Sequence, residues 1–208
     1  MKKIKIFLII QLVFQIRGAQ NLQEDITNLQ VTIDNIETTP EARAFATIDL
    51  ANLNLQKKNY ELAKELLIPL NKQCNKDICA LPHRKIYKNP RIGIWAKLKL
   101  GEVYYFEGKD YELAMKLFLS ATPLYKCDSK CSEAEGWAKF RMAEMELMGI
   151  GSTDKNYGYI CGLLEEIMNS GVSKTLLDLA RYKYAYVRSL YNSCAYINPY
   201  YLIQEPAN

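Results

Sequence analysis

Few residues of this chain have the chemistry of a catalytic group. His83 is the only histidine among 208 residues, so a histidine-based triad, a two-histidine metal site or a proton relay would have to be built around it. It lies in a proline-bounded basic stretch that is typical of a solvated insertion, or else of an electrostatic contact for an acidic partner or lipid surface. Glu102 and Glu144 could act as a paired acid and base, but no phosphate-binding glycine loop or nucleophile elbow accompanies them. The sequence therefore favours a protein that is not an enzyme and needs no cofactor.

Cysteines are the second chemically distinctive set. The six are Cys74, Cys79, Cys127, Cys131, Cys161 and Cys194. In an exported chain they predict three disulfides, because an oxidising compartment lets such bonds form and persist. Zinc bound by the first four is the alternative, although their spacers of four and three residues are irregular for a structural site.

Export is predicted by residues 1–19, which have the layout of a secretory signal peptide. A basic start precedes an apolar run from Ile6 to Ile16, and the small residues Gly18 and Ala19 follow near the expected cleavage point. The run is about half of the ~20 residues that span a bilayer, so we expect no stable membrane insertion after cleavage. The sequence has no Asn-x-Ser/Thr site, which favours a periplasmic protein, with secretion as the alternative.

Composition agrees with a folded soluble domain and excludes one class of partner. Hydrophobic residues make up 49% of the chain and charged residues 24%, both ordinary values. The 27 basic and 23 acidic residues leave a net charge of +4. Because nucleic-acid binding asks for a clustered basic face, we expect no nucleic-acid partner.

A similar phrase of seven residues occurs four times in the chain and indicates the elements that position these residues. The phrase starts at Phe45, Trp95, Trp137 and Leu179, in steps of 50, 42 and 42 residues. This spacing fits stacked helix-turn-helix units. Apolar residues at helical spacing over residues 22–37 predict an N-terminal helix that covers the open edge of the first unit.

Capping residues predict where these helices begin. Thr39 precedes Pro40 before the first unit, and Asp110 can accept a bond from a free amide of the helix that follows it. Ser132 with Glu135 forms a capping box before the third unit.

The first two units resemble tetratricopeptide repeats, and the third resembles a Sel-one-like repeat. The residues that carry the first resemblance are Leu50, Ala51, Tyr60, Ala63, Leu67 and Leu70, then Leu100, Gly101, Tyr104, Gly108, Tyr111, Ala114, Phe118 and Ala121. The glycine-bearing turn from Met148 to Tyr157 carries the second, while Gly158 and Gly162 depart from that family's alanine-rich second helix. The fourth unit keeps only the opening phrase.

The resemblance implies an all-α fold, a right-handed α-solenoid of about four helix-turn-helix repeats with an N-terminal capping helix. We expect a signal peptide over residues 1–19, the repeat domain over residues 20–198 and a C-terminal tail over residues 199–208. The equivalent positions of the early cysteines in successive units favour pairs Cys74–Cys79 and Cys127–Cys131, leaving Cys161 with Cys194.

In the resembling folds the first helix of each pair lines a concave face that binds peptides or proteins. By position this implies a partner-binding set of Trp95, Leu98, Glu102, Tyr105, Trp137, Phe140, Glu144, Tyr182 and Tyr186, and it places Phe106 and Met148 on the same face. The tryptophans could face either the groove or a neighbouring helix, and the late tyrosines could pack a terminal cap or form a contact surface.

The predicted function is therefore that of an exported protein-protein interaction scaffold. Its two glutamates would select a protein or peptide partner with a basic segment. The alternative is a weak hydrolase-like or cell-wall-ligand-binding enzyme built on the same repeats.

Overall fold

The structure is a computed structural model that describes residues 22–75, 91–122, 133–150 and 156–191, with the side chains of residues 73–75 left aside. These ranges contain helices and turns and no strand, so the predicted all-α class is confirmed. The helices are α1 (residues 22–34), α2 (Pro40–Gln56), α3 (Tyr60–Asn75), α4 (Arg91–Glu107), α5 (Tyr111–Ala121), α6 (Glu133–Met148), α7 (Tyr157–Met168) and α8 (Lys174–Leu190).

Two of the predicted helix starts are confirmed at atomic detail. The Thr39 side chain accepts a hydrogen bond from the Ala42 amide at 3.2 Å, with Pro40 as the first residue of α2. The Asp110 carboxylate accepts from the Leu113 amide at 2.9 Å at the start of α5. Each bond satisfies a donor that the first helical turn leaves without an intrahelical partner. Ser132, the third predicted cap, lies outside the described residues.

The chain forms two compact units, Met1–Ile92 and Gly93–Asn208. In the first, α2 packs against α3 and buries a small apolar core. Asn54 is buried beside it, and its amide group donates to the Leu50 carbonyl at 2.8 Å while its side-chain oxygen accepts from Asn59 at 3.4 Å. These bonds offset the cost of removing a polar side chain from water.

The second unit holds most of α4 together with α5 to α8. Within it α5 packs against α6, α6 against α7, and α7 against α8. Helices α4 and α5 approach closely at Gly101, where an added Cβ would lie 2.6 Å from the Phe118 ring. A residue without a side chain is therefore required at this contact.

Helices α4, α6 and α8 bury the same face of the repeated phrase. Positions 42 residues apart are 0% exposed in all three helices, and these are Ala96, Ala138 and Ala180 on one turn and Val103, Met145 and Val187 on another. The recurrence that is visible in the sequence thus corresponds to a recurrence of buried positions, with small residues where helices meet.

Several expectations fall outside the described part of the chain. They are the signal peptide over residues 1–19, the tail over residues 199–208 and His83. Of the cysteine side chains only Cys161 is described; it is buried in α7 and is not a free thiol. The three predicted disulfide pairs remain predictions. None of the described helices is both long enough and apolar enough to span a bilayer.

Candidate protein-interaction surface

A line of ion pairs connects α4, α6 and α8. We call Lys99, Glu102, Arg141, Glu144 and Lys183 the charge ladder. Lys99 Nζ lies 2.8 Å from Glu102, and the other oxygen of Glu102 accepts from Arg141 Nε at 3.0 Å. Arg141 also donates to Glu144 at 2.7 Å, and Glu144 accepts from Lys183 at 3.2 Å. The ladder therefore joins α4 to α6 and α6 to α8.

The ladder follows the 42-residue step of the sequence. Its cations at positions 99, 141 and 183 are equivalent, and so are its anions at 102 and 144. At the next equivalent position the carboxylate is replaced by Tyr186, so the ladder ends on α8. None of the five side chains is more than 22% exposed, and Glu102 is only 6% exposed. These are partly buried ion pairs, which solvent screens less than pairs at an open surface.

Burial and charge shift the titration of groups along the ladder. Burial alone would lower the pKa of Arg141, but the carboxylates of Glu102 and Glu144 outweigh it and the pKa is raised. Burial also raises the pKa of Tyr105, and the negative charge of Glu144 adds to the effect. The ladder thus keeps its central cation charged in a largely dry environment.

Aromatic rings lie under the cations of the ladder. The pairs are Lys99 over Trp95 at 5.9 Å, Arg141 over Phe106 at 5.0 Å and over Trp137 at 5.7 Å, and Lys183 over Phe140 at 5.7 Å, measured to the ring centroids. Such contacts favour a cation above the negative face of a ring. The cations therefore have both carboxylate and ring partners inside the protein.

The predicted partner-binding residues occupy different depths. Leu98 is 0% exposed and Phe140 is 4% exposed, so both support the surface from below. Trp95 and Trp137 are partly buried against the core. Trp137 is further held by Glu133, which accepts from its indole nitrogen at 3.0 Å and also from the Ser173 amide at 2.7 Å.

The late tyrosines divide between core and surface. Tyr184 is 0% exposed and its hydroxyl lies 3.4 Å from the Glu165 carboxylate. Tyr182 is 75% exposed and Tyr186 is 49% exposed. Core packing therefore holds for Tyr184, while a contact surface at Tyr182 and Tyr186 stays a prediction.

Exposed apolar side chains lie at one end of the same helices. We call Phe106, Met148 and Leu190 the apolar rim; they are 45%, 56% and 51% exposed and stand 42 residues apart. The Tyr105 hydroxyl donates to the Met148 sulfur at 3.7 Å and its ring lies 5.0 Å from the Phe106 ring, so Tyr105 connects the first two rim positions. Phe106 and Met148 were placed on this face by position in the sequence, whereas Leu190 was not; the 42-residue step was a signal that could have found it.

The geometry changes the role expected of the two glutamates. Both carboxylates of the ladder are already engaged by lysine and arginine side chains of the same unit. Three positive and two negative charges leave the ladder with a net charge of +1. Because the negative charge is compensated internally, this surface gives no support to the selection of a basic partner segment.

The described residues contain no group of three or more side chains arranged to hold a metal ion. In the first unit a shallow cleft of about 380 Å³ is lined by Asp25, Asn28, Leu29, Asp49, Asn52 and Leu53. It is open to solvent along α1 and α2.

Comparisons of this chain with protein families, curated proteins and solved structures find no match. The likeness to tetratricopeptide and Sel-one-like repeats therefore rests on the residues quoted above.

Proposed function

We propose that this chain is an exported helical-repeat scaffold that binds a protein or peptide across α4, α6 and α8. The observation that carries the proposal is the apolar rim, three half-exposed apolar side chains at equivalent positions of α4, α6 and α8. Adjacent to it, the charge ladder fixes these helices to one another. Exposed apolar residues on a rigid support are the usual composition of an interaction surface.

The repeat architecture belongs to the same proposal. Three helix pairs, α2 with α3, α4 with α5 and α6 with α7, precede α8, and α1 stands before them. The shared buried positions of α4, α6 and α8 support a stack of equivalent units. We propose a right-handed solenoid of the tetratricopeptide or Sel-one-like kind, with the signal peptide and disulfides that the sequence predicts.

The rim and the ladder indicate which kind of partner the proposal favours. Neighbouring helices pack about 8–10 Å apart, so the rim offers apolar contacts at about that interval. A helical partner segment presents residues of one face every seven positions, which is about 10.5 Å. Because the ladder has a net charge of only +1, the partner's apolar side chains rather than its charge would provide most of the affinity.

A pair of matched variants tests the proposal. Met148→Glu places a charge in the middle of the rim, whereas Leu119→Glu places the same charge at a 48% exposed site on α5. We expect Met148→Glu to remove the proteins that the wild-type chain captures in quantitative crosslinking from producing cells, and Leu119→Glu to retain them. Circular dichroism checks that both variants keep their helix content. If the two variants capture the same proteins in the same amounts as the wild type, the rim is not the binding surface.

A further inference from the structure

One face of α8 is exposed, whereas the equivalent positions of α4 and α6 are buried. Ala185 is exposed, whereas the equivalent Gly101 and Ala143 are buried. Tyr182 is 75% exposed, whereas the equivalent Leu98 and Phe140 are at most 4% exposed. We call Asp178, Arg181, Tyr182, Ala185 and Ser189, together with Lys174 and Arg188, the end face.

The equivalent positions of α4 show what kind of element can pack against this surface. In α4 the position of Ala185 is Gly101, and the ring of Phe118 from α5 lies against it. A small residue at such a place lets a second helix approach closely. Within the part of the chain that the structure describes, no helix occupies this place on α8. The end face therefore has the form of a helix-docking surface without its helix.

The charges of the end face define the chemistry of the missing helix. Lys174, Arg181 and Arg188 are seven residues apart, so they form one line along α8 with a spacing of about 10.5 Å. The guanidinium of Arg181 lies 3.8 Å from Asp178, and its Nε is buried without a hydrogen-bond partner. Neither Lys174 nor Arg188 forms an ion pair with any residue that the structure describes. Among the described residues, Asp178 is thus the only carboxylate that pairs with this line of cations.

We infer that the end face docks an acidic amphipathic helix of another protein. Small and apolar residues of that helix would cover Ala185 and Tyr182, and carboxylates at seven-residue spacing would meet Lys174, Arg181 and Arg188. The arrangement follows the charge pairing that flanks the apolar seam of a coiled coil. This surface is distinct from the rim, so the inference goes beyond the proposed function.

Two other occupants fit the same face less well. A second copy of the chain that docked α8 against α8 would bring two lines of cations together, which is unfavourable. An anionic bilayer would require a broad apolar arc on the helix, whereas Asp178 and Ser189 interrupt the face beside Tyr182. Charge complementarity therefore favours an acidic helix.

Two synthetic peptides test the inference directly. Both are labelled 21-residue helices of three heptads with the same apolar stripe, one flanked by glutamates and the other by lysines. In fluorescence anisotropy with the full chain we expect the glutamate peptide to bind at least tenfold more tightly, and more weakly as salt rises. Arg181→Glu combined with Arg188→Glu should reverse the preference.

A further variant keeps the test independent of charge. Ala185→Trp should abolish binding of the glutamate peptide without loss of helix content, because this residue is exposed in the chain alone. Lys116→Glu on α5, where the lysine side chain is 66% exposed, should leave binding unchanged.

Three results would overturn the inference. The first is equal binding of the two peptides, or none. The second is dimerisation in sedimentation velocity that Ala185→Trp removes. The third is binding to phosphatidylglycerol vesicles that the same variants remove.

Discussion

Removal of Arg141 is the sharpest test of the charge ladder. Arg141→Met retains much of the aliphatic packing over Phe106 and Trp137 but removes the bonds to Glu102 at 3.0 Å and to Glu144 at 2.7 Å. Glu102 is 6% exposed and would keep only Lys99 as an ionic partner. In the variant, the nearly buried carboxylate of Glu102 therefore has one cationic partner instead of two.

The size of the effect follows from this burial. Breaking a buried ion pair by removing one partner costs about 3–5 kcal/mol. Glu102 keeps Lys99 and Glu144 keeps Lys183, so we expect a smaller loss of about 2–3 kcal/mol in the free energy of unfolding. With a urea m-value of about 2 kcal/mol/M, the unfolding midpoint should fall by about 1–1.5 M.

Equilibrium urea unfolding of the full chain measures this loss. The matched control is Lys116→Met, which breaks a pair whose side chains are 66% and 81% exposed. We expect no measurable change from the control, because exposed pairs are screened and contribute little. A double-mutant cycle with Glu102→Gln should give a coupling energy of at least about 1 kcal/mol. Equal midpoints for Arg141→Met and Lys116→Met would refute the argument that the ladder stabilises the unit.

Two further predictions concern packing and pH. Gly101→Ala should lower the free energy of unfolding by about 1–2 kcal/mol, because its Cβ would lie 2.6 Å from the buried Phe118 ring, whereas Gly162→Ala, whose Cβ meets nothing within 4 Å, should be neutral or stabilising by up to about 1 kcal/mol. Urea unfolding of both variants checks the contrast, and equal effects would contradict the close approach of α4 and α5. Burial, with the charge of Glu165, raises the pKa of Tyr184, so the unfolded chain ionises first and stability should fall as pH rises above the ordinary tyrosine pKa of about 10. Tyr184→Phe should make this alkaline loss less steep in unfolding measured from pH 8 to 11, and an unchanged slope would contradict the assignment.

Local signals in the sequence were sufficient for the helices and for much of the core. Thr39 and Asp110 cap the helices that they precede, because capping depends only on residues within one turn. The small residues Ala96 and Ala138 are buried where the repeated phrase placed them.

The roles of the charged residues were harder to predict, because they depend on contacts between helices. Arg141 and Glu102 are 39 residues apart in the chain, and only the packing of α4 beside α6 brings them within 3.0 Å. Considered alone, a glutamate at helical spacing suggests an exposed charge that awaits a partner. The recurrence of Lys99, Arg141 and Lys183 at the 42-residue step was the available signal that both glutamates had partners within the chain.

The split among the tyrosines has a simpler geometric origin. Residues two apart on a helix point in nearly opposite directions, so Tyr184 cannot share a face with Tyr182 and Tyr186. The structure buries the first and exposes the other two. Helical periodicity could therefore have divided the set, while the depth of each side chain depended on the neighbouring α7.

The alternating signs of the ladder have a consequence for how the helices align during folding. If α6 were displaced by one helical turn along α4, Arg141 would shift by about 5.4 Å relative to Glu102 and their contact would break, which leaves Glu102 with Lys99 alone and Arg141 with Glu144 alone. Purely apolar side chains would tolerate such a shift far better, since their attraction has little directionality. The ladder thus specifies a single alignment among otherwise similar helices, and it would disfavour exchange of one helix for another that lacks the matching sequence of signs.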